Sequence, residues 1–490
     1  MFLRKKLELL WPIKRHELKK VLPLILIKFL ISLVYCMLTG IKDTIVINAD
    51  KSGAEVIPVI KSFLVLPISI VVAMVYSKLS SRFSSSSLFY SLISVFIIIL
   101  GVYAFILYPN KDFFTPVNSS NWALAYLGDN YKHWIAVYTH WIHVLFFVTT
   151  ELWGQVVIFL LYWVLANNIC TVEQAKRTYS ILIAAGSMAL IISGPIVSFF
   201  VKKYYYTGFI FAVKAVIAFS IVCSILTMLV YWILNNILVR DKLLSYKEAV
   251  IANEQRSKQR LSLVSSFRHI FSSKYLIAIA VMVLGCAFCI NIAEVTWKAQ
   301  LKNMYPTQQE YQLFMSNFNV ILGFVTLFTT LFISGKTLHI GWVTSARVTP
   351  LAVFISGLLF FLISYFREWF LPLANAFNID SLKLVVLFGA FQNLVAKTTK
   401  YAFFDSTKEI VFIPLDRESK TKGKAAIDLI GSRLGKSSSS IFQLFIMKLK
   451  GTGSVLLITP FIMPCFAIVI FFWYYSVNYL GTQEKAFKTK

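Results

Sequence analysis

Long apolar runs broken by short polar ones dominate the chain. Twelve such segments stand out, near 21–41, 57–79, 88–108, 140–167, 179–201, 207–237, 275–297, 312–335, 340–366, 381–404, 425–448 and 452–479. A helix crossing a hydrocarbon layer about 30 Å thick needs roughly 20 residues, so the pattern predicts twelve transmembrane helices. The fourth and sixth runs are long enough to tilt or to extend past the bilayer. The tenth and eleventh are the least apolar and hold most of the charges that fall inside runs. Short segments with polar tips stand at 109–139 and 367–380. A polar linker, 238–274, holds Arg240, Lys242, Lys247, Arg256, Lys258, Arg260, Arg268 and Lys274. It divides the chain into a six-helix unit at 1–237 and a second at 275–490.

Composition supports this class. Apolar residues make up 58% of the 490 residues and charged ones 14%, with mean hydropathy +0.72. A soluble domain carries about 25% charged residues, so secreted, disordered and ordinary cytosolic proteins are excluded. The chain reads as an all-α polytopic membrane protein. Its basic N-terminus leads into a run too long for a signal-peptide core and without a small-residue cleavage site.

The net charge of +26 would suggest nucleic acid in a soluble protein. Here it points to cytoplasmic loops or to an anionic substrate. With both termini and the linker placed inside, inside segments hold 28 of the Lys and Arg residues and outside segments 13. That bias favours cytoplasmic termini. Seven more lie within predicted helices: Lys28, Lys214, Arg347, Lys397, Lys400, Arg433 and Lys436.

A faint repeat joins the two units. Glu173-Gln-Ala-Lys-Arg177 leads into a helix bearing Gly186-Ser187, and Glu418-Ser-Lys-Thr-Lys422 into one bearing Gly431-Ser432. Both matches are offset by half the chain. A parallel six-helix repeat, with the site between halves near the midplane, is the major-facilitator arrangement.

Charges within a membrane cost a few kcal/mol each and persist where they face a cavity or a partner. Lys42 ends the first run and has Asp43 beside it. Glu151, in Thr149-Thr-Glu-Leu-Trp-Gly154, has no cation within one turn. Glu294 and Lys298 have the i, i+4 order that favours an intrahelical pair. Lys397, Lys400, Asp405 and Lys408 cluster on the tenth run. Arg433 and Lys436 lie i, i+3 on one face of the eleventh, near Asp428, with Gly431 and Gly435 spaced for close helix approach. A guanidinium fork and an ammonium on one face suit the oxygens of a phosphate chain. Lys28 and Lys214 read as snorkelling or touching a neighbouring helix.

Other features read as ordinary. The six cysteines are scattered, and the CxxC at Cys286 and Cys289 lacks a second ligand pair. His140 and His143 have no completing ligands, so no metal or cofactor is expected. Ser84 to Ser87 read as a turn. Gly431-Ser-Arg-Leu-Gly-Lys-Ser437 is one residue short of a Walker A loop and lacks its preceding strand. No ATPase site follows, so transport must run by exchange or on an ion gradient.

These residues resemble the bacterial and plastid ATP/ADP translocases of obligate intracellular bacteria. The resemblance runs from Trp11-Pro-Ile-Lys-Arg-His-Glu-Leu-Lys-Lys20 through Lys42-Asp43, Gly53-Ala-Glu-Val-Ile-Pro58, Glu151-Leu-Trp-Gly154, Glu173-Gln-Ala-Lys-Arg177 and Glu294-Val-Thr-Trp-Lys298. It ends in Phe404-Asp-Ser-Thr-Lys408, Ile413-Pro-Leu-Asp416 and Arg433-Leu-Gly-Lys436. It implies a non-enzymatic carrier in the bacterial inner membrane that exchanges host ATP for bacterial ADP. It also implies transport-critical charges at Lys42, Glu151, Glu294 and Lys436. On this reading Lys42, Lys400, Arg433 and Lys436 bind phosphates, while Glu151, Glu294, Lys298 and Asp405 couple or gate. The partners are nucleotides and the bilayer, not nucleic acid, and each chain is a monomer holding both halves.

The chain departs from the pattern in two places. Thr39 stands where ATP-exchanging members have Arg, and Ser437 to Ser440 where they have Gly-Gly. Other nucleoside triphosphates are therefore an alternative cargo. A non-nucleotide anion–proton symporter with Glu151 as proton carrier, and a lipid-binding scaffold, are the readings from other classes.

Overall fold

The computed structural model describes residues 17–80, 82–128, 131–170, 172–240, 273–412 and 431–488, with Leu415 and Ile427 as isolated positions. The first basic segment, most of the central linker and the loop holding Arg417, Lys420, Lys422, Lys424 and Asp428 lie outside these residues. Among the described residues there is no strand.

Twelve helices correspond to the twelve runs. They are α1 Leu18–Ile47, α2 Val56–Ser80, α3 Ser85–Leu107, α4 Trp141–Ile169, α5 Val172–Lys203 and α6 Phe209–Arg240. The second set is α7 Lys274–Met304, α8 Gln308–Leu338, α9 Trp342–Tyr365, α10 Ser381–Val411, α11 Ser432–Leu449 and α12 Thr459–Lys488. By length and apolar composition ten of them qualify as spans, or eleven when α10 is joined to the short helices at Arg367–Ala376, which meet it at 94°. The described part of α11 falls short because Arg433, Lys436 and Lys448 interrupt 18 residues. The departures from a plain apolar span thus fall on α10 and α11, the two helices richest in charge.

Local chemistry sets several helix starts. Ser84 caps α3 by accepting from Ser87 N at 3.2 Å, so Ser85 to Ser87 form its first turn instead of a free one. Thr307 caps α8 by accepting from Glu310 N, and Asp380 caps α10 by accepting from Leu382 N. These acceptors satisfy amides that have no partner within the helix. π-Helical turns interrupt α2 at Lys61–Val65, α4 at Gly154–Tyr162 and α10 at Lys400–Phe404. Each widened turn rotates the following residues relative to those before it.

Buried side chains gather in two cores. One runs from Leu24 to Leu234 and is built by α1 and α3–α6. The other is built mainly by α7–α12, with Val46 to Val65 and part of 136–148 packed against it. Indole and phenol groups find main-chain acceptors between helices, such as Trp153 on Ile31 O and Trp297 on Val386 O. Ile98, Phe159, Phe199, Ile355 and Phe471 are each more than half exposed, an outward apolar face suited to lipid.

The two sets of helices meet where α5 packs on α8 and α2 packs on α11. Glycines permit the first contact. A Cβ on Gly194 would lie 2.6 Å from Ser316 O, and one on Gly323 would lie 2.9 Å from Ile191 N. The faint repeat has a packing counterpart: Gly186 of α5 faces Lys28 and Ser32 of α1, while Gly431 and Gly435 of α11 face Val283, Leu284 and Ala287 of α7.

Candidate substrate-binding site

Seven charged side chains form one alternating chain across the middle of the bundle. Lys397 Nζ donates to Glu294 Oε1 at 3.1 Å, and Lys298 Nζ donates to the same oxygen at 2.8 Å. Lys298 also donates to Asp43 Oδ2 at 2.8 Å, whose Oδ1 accepts from Lys42 Nζ at 2.9 Å. Lys42 lies 3.1 Å from Glu151 Oε1, and Glu151 Oε2 accepts from Arg433 Nη1 at 3.0 Å. Arg433 Nη2 adds a bond to the main-chain oxygen of Glu151 at 3.0 Å. The order is Lys397, Glu294, Lys298, Asp43, Lys42, Glu151, Arg433.

Five helices supply it. Asp43–Lys298 joins α1 to α7, and Glu151–Arg433 joins α4 to α11, so the chain crosses between the helix sets twice. Lys42, Asp43 and Lys298 are nearly fully buried, and Lys42 also lies 3.7 Å from the centre of the Phe147 ring. In low dielectric each charge needs its partner. Removing one member of a buried pair strands the other at about 3–5 kcal/mol.

Two more cations lie among these groups. Lys61, at the start of the α2 π-turn, is 7% exposed and donates to Asn291 Oδ1 at 2.6 Å. Asn291 in turn donates to Ser439 and Ser440 hydroxyls and to Lys436 O. Between α2 and α11 the Ser62 hydroxyl donates to Ser437 O and the Ser437 hydroxyl donates to Lys61 O. Among the described residues neither Lys61 nor Lys436 forms an ion pair. Both carboxylates, Glu151 and Glu294, act on each of them electrostatically. Six cations thus share three carboxylates.

Beside this set the helix ends are tied across the bundle. His133 Nε2 bonds Gly453 O at 2.7 Å, Val455 N donates to Glu55 Oε1 at 3.1 Å, and Lys302 Nζ donates to Ser52 O. Thr44 donates to Gln312 at 2.6 Å, where α1 crosses α8.

A family model for the TLC ATP/ADP transporter matches residues 2–484. The chain belongs to the TLC ATP/ADP transporter family. It is therefore a carrier, not an enzyme. It is 37% identical over 481 residues to ADP,ATP carrier protein 1 of Chlamydia muridarum, covering 96% of this chain and 90% of that protein. It is 32% identical to ADP,ATP carrier protein 1 of Rickettsia typhi, with 99% and 97% covered. In fold it matches a D-xylose–proton symporter at TM-score 0.57 and 11% identity, covering 94% of this chain and 96% of that one. A nucleoside transporter matches at 0.55 and 13%, covering 94% and 99%. The fold is major-facilitator-like, and this TLC family chain is a multi-pass membrane transporter.

Of the eight residues singled out in the sequence, Lys42, Glu151, Glu294, Lys298 and Arg433 are brought together in the chain, and Lys436 lies beside it. Lys400 and Asp405 pair with each other at 3.0 Å, part-exposed, with no bond or ion pair to the seven. The α10 cation that does join is Lys397. Sequence reasoning missed Lys61, which was not among the in-helix cations it named, and took Asp43 only as a local partner for Lys42. Position inside segment 57–79 was the available signal for Lys61.

Elsewhere, Lys28 rests against the Tyr162 and Trp163 rings, as expected of a lysine touching a neighbouring helix. His140 bonds Asp50 O, and its ring stacks on His143. Cys286 and Cys289 are buried free thiols. Residues 432–437 of the Walker-like stretch are helical. The serines replacing Gly-Gly have a structural use, since they satisfy Asn291. Thr39 Oγ1 is buried with no hydrogen-bond partner among the described residues.

Proposed function

We propose that this TLC family member exchanges ATP for ADP across a bacterial cell membrane by alternating access. The units 1–237 and 275–490 rock about the charged chain, with the 238–274 linker joining them inside. Both termini face the cytoplasm, and one chain is the working unit. Lys42, Arg433 and Lys436 receive the phosphates, and Lys400 joins them on leaving Asp405. Glu151, Glu294 and Lys298 hold the set when no nucleotide is present. The relatives' names, as ADP,ATP carrier proteins, support this cargo.

The observation that carries the mechanism is the alternating chain itself. Its two bridges, Asp43–Lys298 and Glu151–Arg433, lock the helix sets together. Phosphate oxygens can replace the carboxylates as partners of the same cations. An empty carrier must break both bridges without compensation, whereas a loaded one need not. Obligate exchange follows from that difference. With termini inside, the ties at Ser52, Glu55 and Gly453 lie at the outer end of the bundle. Binding of labelled ATP to purified protein tests the assignment. It should be lost in Lys436→Ala and Lys42→Ala. Wild-type-like binding in both would move the phosphate site elsewhere.

A further inference from the structure

Lys61 is the cation that the resemblance did not mark. It is buried, it lies on α2, and among the described residues it has no carboxylate partner. Among the described residues the one hydrogen-bond partner of its ammonium is the neutral Asn291 of α7. A buried ammonium resting on an amide is an unfinished interaction, because an amide supplies a dipole where the ion calls for an opposite charge. Glu294, Lys298, Lys436 and Glu151 all act on it electrostatically.

The charge count points the same way. The alternating chain has four cations and three carboxylates. Lys61 and Lys436 raise the formal excess to three. That exceeds what a single phosphate group needs and suits a phosphate chain of two or more groups. The amide contact is also mechanically placed. Lys61–Asn291 joins α2 to α7, and Asn291 fans out to α11 through Lys436 O, Ser439 and Ser440.

We propose that Lys61 is a further phosphate-binding residue, parked on Asn291 when the site is empty and drawn to a phosphate beyond the first when nucleotide enters. Its departure frees Asn291 and loosens α2 from α7, so that recognition of a di- or triphosphate releases a tie between the helix sets. This rests on the nucleotide reading above and adds a residue and a trigger to it.

The test is equilibrium binding of ATP and AMP to purified full-length protein. Lys61→Gln keeps a donor for Asn291 and removes the charge. ATP affinity should fall about thirtyfold or more, the usual size for truncating one side of a buried charge pair. AMP affinity should change by less than about threefold, and Lys61→Arg should retain most ATP affinity. Asn291→Asp gives Lys61 a carboxylate, which phosphate must displace, so ATP should weaken there too. Unchanged ATP affinity in Lys61→Gln, or equal losses for ATP and AMP, overturns the proposal. Wild-type protein that binds neither ATP nor ADP overturns the nucleotide reading itself, a different result from a silent Lys61 variant.

Discussion

Glu151 shows how one side chain serves both stability and coupling. Its two carboxylate oxygens face Lys42 and Arg433, one on each helix set. Glu151→Gln should lower the stability of the empty protein by about 3 kcal/mol, because two cations lose a charged partner. Added ATP should restore part of that in a thermal-unfolding assay. The same change removes one of two bridges, so the empty carrier should reorient more readily. Uptake into ADP-loaded vesicles relative to buffer-loaded ones should drop. A ratio equal to wild type would mean that the bridge does not enforce exchange. Residues such as Glu151 and Lys42 were legible in the sequence because a charge inside an apolar run is costly and needs a reason. Their partners on other helices were not. Glu294 and Lys298, four apart on one helix, and the adjacent Lys42 and Asp43 carried their pairing in the spacing. Asp43–Lys298 depends on how α1 meets α7, which no local pattern encodes.

Helices α7 and α11 depend on glycine at their crossing. A Cβ at Gly435 would lie 2.7 Å from Leu284 O and from the Ala287 Cβ, so main chain as well as side chain would have to move. Gly435→Val should therefore cost about 1–3 kcal/mol of stability and displace Arg433 and Lys436, which flank it within one turn. Thermal unfolding and ATP affinity should both fall. Unaltered affinity would show that α11 has room at that crossing. The Gly431–Gly435 spacing announced this contact in the sequence, because small residues four apart make a flat helix face. The π-turns at Lys61 and Lys400 gave no such sign. Each widened turn rotates the residues that follow it relative to those before. The tenth-helix cluster was visible, but nothing in the sequence showed that Lys397, and not Lys400, is the member that pairs with Glu294.

At the scale of the molecule, the order of helices along the chain was readable from the lengths of the apolar runs. The pairing of α5 with α8 and of α2 with α11 was not, because those faces differ little in hydrophobicity from lipid-facing ones. A membrane offers no solvent contrast to mark an interface. The whole-molecule account also carries an electrical consequence. ATP bears about one more negative charge than ADP, so ATP entry against ADP exit should be opposed by about 2.3 kcal/mol per 100 mV of inside-negative potential. Imposing such a potential on proteoliposomes should slow ATP uptake, and an inside-positive one should speed it. No response would require a compensating ion to move with the exchange.

The central claim is obligate exchange enforced by the ion-pair bridges. Its most direct test is uptake of radiolabelled ATP into proteoliposomes preloaded with ADP, ATP, GDP, CTP or buffer. The account predicts uptake with ADP or ATP inside and almost none with buffer. Equal uptake into buffer-loaded vesicles would contradict exchange, and uptake driven only by GDP or CTP would contradict the adenine-nucleotide cargo.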